Sequence, residues 1–102
     1  MNILNYHVST AGNNPVKILT GSSGSTVIKS LEIINGDVDS VVKIYREDSS
    51  VNPAKYGEIV INLESYNYLM LWEGFIVIPE GHSLWIYSDS SDIEAVANVV
   101  EL

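Results

Sequence analysis

Apolar side chains recur at every second position along much of this chain. Val42 and Ile44 alternate with Val41, Lys43 and Tyr45, and Ile59, Ile61 and Leu63 alternate with Val60 and Asn62. Leu84 and Ile86 alternate with Trp85 and Tyr87, and Ile93, Ala95 and Ala97 alternate with Glu94, Val96 and Asn98. Successive side chains of a β-strand point to opposite faces, so each set offers one face to a core and the other away from it. The best competing helical reading is 92–102, which opens Ser91-Asp92-Ile93-Glu94 like a helix start. Its Val96, Val99 and Val100 are poor helix formers, and a strand fits the pattern better.

Val, Ile, Tyr, Trp and Thr fill short runs bounded by Gly, Asn, Asp, Ser and Pro, which reads as strands near 2–8, 16–20, 26–34, 40–46, 57–63, 68–72, 75–78, 83–88 and 93–101. The turn residues fit antiparallel pairing. Asn35-Gly36 predicts a tight hairpin, because both residues tolerate positive φ. Residues 21–25 predict a flexible Gly/Ser connector, and 48–54, with Pro53, a longer loop. Glu73-Gly74 is expected to break the apolar stretch 68–78 in two. Pro79-Glu80-Gly81 predicts a turn with proline at its first corner. About eight short strands with regular turn signals predict an all-β fold, a single antiparallel β-sandwich of jelly-roll type. One domain spans 1–102, with an N-terminal strand or arm over 1–15 and a sandwich body over 16–102.

Composition narrows the function classes. The chain has 102 residues, 46% of them apolar and 18% charged, which suits one small core and argues against disorder. It contains no cysteine, hence no disulfide framework, thiolate metal site or thiol nucleophile. Thirteen acids against five bases give a net charge of −8 and argue against nucleic-acid binding, which clustered Lys and Arg drive. The longest apolar runs fall far short of the roughly 20 residues of a membrane-spanning helix, so no membrane partner is expected. The opening Met-Asn-Ile-Leu-Asn-Tyr-His has neither the basic nor the apolar region of a secretion signal.

Sites for chemistry are sparse. His7 and His82 are far apart in sequence and lack a short ligand spacing, so no metal or cofactor is expected. An EF-hand loop counted from Asn35 would need glycine where Ser40 stands and a bidentate glutamate where Arg46 stands. The run Ser88-Asp89-Ser90-Ser91-Asp92 is crowded with ordinary turn formers. Residues 21–25 lack the G-x-S-x-G spacing of an acyl-transfer nucleophile. No two of the thirteen acids stand out as a glycosidase pair. A non-enzymatic protein is the expectation.

The aromatics are more informative. With Leu84 and Ile86 inward, Trp85 and Tyr87 point outward, and parity places Tyr45 outward beside Ile44. Tyr68, Met70 and Trp72 share one face of their strand, opposite Leu69 and Leu71; that face is either a docking surface or a second side of the core. Tyr and Trp are enriched where protein surfaces meet. Tyr45, Trp85, Tyr87, Trp72 and Tyr68 are therefore the candidate interface residues.

The order of elements carries a resemblance. A lead strand and a Gly/Ser turn precede Val27-Ile28-Lys29-Ser30-Leu31-Glu32-Ile33-Ile34-Asn35, and a polar turn leads to Val41-Val42-Lys43-Ile44-Tyr45-Arg46. Later stands 72–86, containing Gly81-His82-Ser83-Leu84, followed by an alternating C-terminal strand. Residues 16–102 thereby resemble the small β-sandwich structural proteins of tailed bacteriophage particles, which serve as head-decoration, head-fibre or tail-accessory subunits. In those proteins a segment of the type val-lys-ser-ile-x-ile-x-asn starts the second strand, and gly-asp-ser-leu precedes the penultimate one. Here His82 replaces the aspartate. The resemblance implies a virion structural protein, made in the host cytoplasm and present in many copies. It also implies a homo-oligomer, with a trimer as one option, docked on a larger capsid or tail protein. A tail or baseplate accessory protein and a carbohydrate-binding β-sandwich module are the alternatives.

Overall fold

The computed structural model describes residues 2–102, with the backbone alone at Phe75. Eight strands follow one another: β1 (Asn2–Ser9), β2 (Val16–Thr20), β3 (Thr26–Ile34), β4 (Ser40–Glu47), β5 (Lys55–Leu63), β6 (Tyr68–Ile78), β7 (Ser83–Ser88) and β8 (Glu94–Glu101). They form two four-stranded sheets, ordered β1-β8-β3-β6 and β2-β7-β4-β5, and every pairing is antiparallel. The pairings β4–β5, β3–β6, β2–β7 and β1–β8 nest inside one another, as in one long hairpin rolled up on itself. This is jelly-roll wiring, and the expected all-β sandwich is the observed fold. Residues 1–15, of which Met1 lies outside the described residues, contribute β1 and the loop into β2.

The period-two residues build the core. Val42, Ile44, Leu84, Ile86, Ile93, Ala95, Ala97 and Val99 are fully buried, together with Ile28, Leu31 and Ile33 of β3. The small Ala95 and Ala97 of β8 are buried among larger Ile and Leu side chains, the alternation of sizes by which facing layers interdigitate. Burial of one such Ile or Leu is worth roughly 1.5–3 kcal/mol relative to exposure, so this seam supplies most of the folding drive.

Three local expectations change. Asn35-Gly36 is not a hairpin, since β3 and β4 belong to different sheets and neither residue has positive φ. Asn35 is instead a buried corner. Its Nδ2 donates to the carbonyls of Val38 (2.8 Å), Leu63 (3.1 Å) and Glu64 (2.9 Å), tying the β3–β4 corner to the β5–β6 corner. Glu73-Gly74 does not end a strand either. Pairing with β3 holds at Ser30↔Glu73 and again at Ile28↔Ile76, so the pair sits in a bulge within one continuous β6. A second register shift, between Leu31 and Glu32, places Trp72 opposite the inward Leu31. Trp72 thus packs against the core with Leu69 and Leu71, and leaves the face of Tyr68 and Met70.

A turn forms at 79–82, with Glu80 and Gly81 rather than Pro79 at its two corners. His82 N–H donates to the Pro79 carbonyl at 3.0 Å, and Gly81 at φ 79° takes the left-handed position of a type II turn. Proline occupies the turn's first residue, and the turn carries the chain from β6 across to β7 in the other sheet.

Replacement of Asn35 by alanine would remove three buried or half-buried hydrogen bonds at once and untie the two corners. Asn35→Ala is expected to lower stability by about 2–4 kcal/mol with an unchanged denaturant slope, measured by urea unfolding.

Candidate interaction surfaces

The outer face of the β2-β7-β4-β5 sheet gathers three of the five candidate aromatics. Tyr45 lies directly across from Trp85, and the rings stack at 6.4 Å with 9° between their planes. Lys17 on β2 pairs with Trp85 and holds its Nζ 5.4 Å from the ring centroid. Lys55 on β5 holds its Nζ 4.5 Å from the Tyr45 ring. One residue from each strand, in sheet order, thus forms a row: Lys17, Trp85, Tyr45, Lys55. Lys43 adds a second contact of this kind, 5.5 Å from the Tyr87 ring, and the Tyr87 hydroxyl donates to Asn13 Oδ1 at 2.8 Å. Cation–π pairs of this kind contribute about 0.5–1 kcal/mol each at exposed sites.

Parity thus gave the direction of these rings correctly but not their accessibility. Tyr45 is only 4% exposed, and Trp85 and Tyr87 are half-buried. Burial, followed by the charges of Glu47 and Glu58, raises the Tyr45 phenol above its ordinary pKa. A shallow depression of about 190 Å³ lies alongside, lined by Pro15, Lys43, Tyr45, Lys55, Glu58 and Tyr87.

The other two candidates lie elsewhere. Trp72 faces inward at the open side between β5 and β6. There the Arg46 guanidinium lies 5.9 Å from its ring and 4.9 Å from that of Tyr56. Gly57 beside them has φ 66°, a left-handed conformation that strains any side-chain-bearing L-residue. The Tyr56 hydroxyl and His82 Nδ1 share a hydrogen bond of 2.7 Å. Tyr68 lies on the outer face of the opposite sheet and is 53% exposed.

That opposite face is the more apolar surface. Ile3, Val100, Val27 and Val77 lie side by side in a row across β1, β8, β3 and β6; Ile3 (79%) and Val77 (52%) at its ends are exposed, Val100 is half-buried and Val27 is buried (7%). Next to this row, Asn5 Nδ2 donates to Asn98 Oδ1 (2.6 Å) and Asn98 Nδ2 to Ser30 Oγ (2.8 Å). Further along lie Met70, Ile34 and Tyr68. Of these residues, only Tyr68 and Met70 stand out in the sequence. The missed signal was that β3, β6 and β8 carry apolar residues at both parities, the pattern of strands covered on both faces.

The two loops weighed as cation sites pack against each other. Gly36 N–H donates to the Asp92 carbonyl at 3.2 Å, and the Asp37 and Asp92 carboxyl groups share a hydrogen bond. This bond, then desolvation, then the Asp37 charge raise the Asp92 carboxyl above its ordinary pKa. Among the described residues no group of three or more His, Cys, Asp or Glu is arranged to hold a metal ion. Each histidine has its own partner, His7 Nε2 lying 3.3 Å from Glu94 Oε1.

The fold and these surfaces define the class of the molecule: a jelly-roll β-sandwich with one cation–aromatic face and one apolar face. No protein-family profile matches the chain, and no curated protein sequence matches it.

Two measurements test these arrangements. A double-mutant cycle on Tyr45→Ala and Trp85→Ala is expected to give about 0.5–1.5 kcal/mol of coupling by urea unfolding. A raised carboxyl pKa means that the folded state binds a proton more tightly than the unfolded chain. Asp92 therefore stabilises the fold at acid pH, and that contribution is lost as pH rises through its raised pKa. Asp37→Asn is expected to remove this loss, giving a higher melting temperature than wild type at pH 7 and a smaller gain at pH 4.

Proposed function

We propose that this chain is a non-enzymatic structural subunit of a tailed-bacteriophage particle, a capsid decoration protein that docks on the shell as an oligomer. The segments that resemble such subunits fall on successive framework elements: β3, β4, the entry to β7, and β8. The reading rests most on the apolar row across the outer face of the β1-β8-β3-β6 sheet, exposed at Ile3 and Val77 and continued by the half-buried Val100 and the buried Val27. A flat apolar row on a sheet is the kind of surface that another protein covers. The net charge of −8 keeps the free subunit soluble until it meets that surface, after synthesis in the host cytoplasm.

A tail or baseplate accessory subunit would use the same row at another place on the particle. The carbohydrate-binding reading has less support. Stacking on a sugar needs a ring face open to solvent, whereas Trp85 lies between Lys17 and Tyr45, and Tyr45 between Trp85 and Lys55.

Val77→Lys places a charge in the row at an exposed position of an edge strand, without touching the core. Its expected effect is at least about a tenfold loss of copies per purified particle, with an unchanged melting temperature. Full occupancy by Val77→Lys would refute docking through this face, and gold-labelled particles would separate head from tail.

A further inference from the structure

Three of the four strands that border the two sheets carry devices that discourage pairing with another chain. β2 is five residues long, contains Lys17 and has a register shift. β5 contains Lys55 and Glu58, with a bulge around Gly57. β6 contains Glu73 and two register shifts. Charge, shortness and bulges are the usual protections of a sheet edge. β1 has none of them. Its eight residues include no Lys, Arg, Asp, Glu, Pro or Gly, and they pair with β8 in unbroken register. Among the described residues, no main-chain group outside β8 hydrogen-bonds to β1. Leu4, Tyr6 and Val8 also point inward yet stay only half-buried, which leaves an apolar stripe along this open flank.

We propose that β1 pairs antiparallel with the β1 of a second copy about a two-fold axis, joining two β1-β8-β3-β6 sheets into one eight-stranded sheet. A second copy is the occupant that fits, because isologous pairing uses the same bare edge twice and leaves neither exposed. Charge agrees with this choice. Two bodies of −8 repel, and β1 is an uncharged stretch through which they can approach. Paired residues must share parity so that both inner stripes continue one core face, and an axis through Asn5 or through Tyr6 meets that condition. The assembly is then built on dimers rather than on the trimer raised above. This association is independent of docking on a particle and does not use Val77.

Sedimentation equilibrium of the full chain, as wild type and as the double variant Asn5→Lys/His7→Lys, tests the pairing. With the axis at either residue, the variant sets like charges directly opposite each other across the interface. The wild type is expected to dimerise, more tightly at higher ionic strength as salt screens the repelling bodies. The variant is expected to bind at least about tenfold more weakly. A wild type that is monomeric at every concentration, a dimer that salt weakens, or a variant that dimerises as well as wild type would overturn the proposal. If the variant fails to fold, amide exchange of the wild type decides the matter. β1 amides that face away from β8 should slow as concentration rises, and fast exchange of these amides in a sample that sediments as dimer would overturn it.

Discussion

The seam between the two inner faces is the constraint on which everything else in this molecule depends. Ile28, Leu31 and Ile33 of one sheet share a dry interior with Val42, Ile44, Leu84 and Ile86 of the other, and all are fully buried. A one-residue slip in any of these strands would turn its apolar set outward and its polar set inward. Register is therefore set by burial more than by turn chemistry. This is why Asn35-Gly36 and Glu73-Gly74 could differ from their local signals without altering the fold class.

The wiring places a particular demand on the corners. Every connection except β4–β5 carries the chain from one sheet to the other, so its main-chain groups leave a ladder and need other partners. Small polar side chains fill that role. Asn35 serves three carbonyls; Thr10 Oγ1 donates to the Ser90 carbonyl at 2.8 Å; Ser40 and Ser90 hydroxyls meet at 2.7 Å. Asn35, Thr10, Ser40 and Ser88 are buried although they are polar. The one true hairpin, β4–β5, is closed by Asp48, whose Oδ1 accepts from Ser50 N–H, Ser50 Oγ and Ala54 N–H. Those bonds, the Ser50 hydroxyl's first, hold its carboxyl below the usual carboxylate range.

Single-strand parity is legible in a sequence, and that sufficed for the all-β class, the inner positions of β4, β7 and β8, and the outward direction of Tyr45, Trp85 and Tyr87. What parity does not contain is the neighbouring strand. Tyr45 lies under Trp85, from a strand distant in the chain, and under Lys55 from the strand across the hairpin, so its exposure followed from contacts that no single-strand pattern records. Trp72 changed faces because β6 has one residue more than β3 across a bulge, and a bulge depends on two strands at once. Asn35-Gly36 has the composition of a hairpin turn, but whether its flanking strands pair is decided by the other six. The apolar row was hidden for a related reason, since its members lie on four strands and meet only when these are ordered β1-β8-β3-β6.

The two outer faces are therefore suited to different work. On the β2-β7-β4-β5 face, three of the four lysines lie against aromatic rings, so cation and ring satisfy each other within the monomer. A partner approaching there would have to break these contacts before gaining its own. On the β1-β8-β3-β6 face, Ile3 and Val77 at the two ends of the row are exposed, so covering them would expel water without first displacing a cation–ring contact. Under the proposed docking, contact would fall on branched aliphatic residues at outward positions of strands already apolar on their inner side, which neither the core nor solubility requires, and the large aromatic side chains of the other face would stay within the monomer's own contacts.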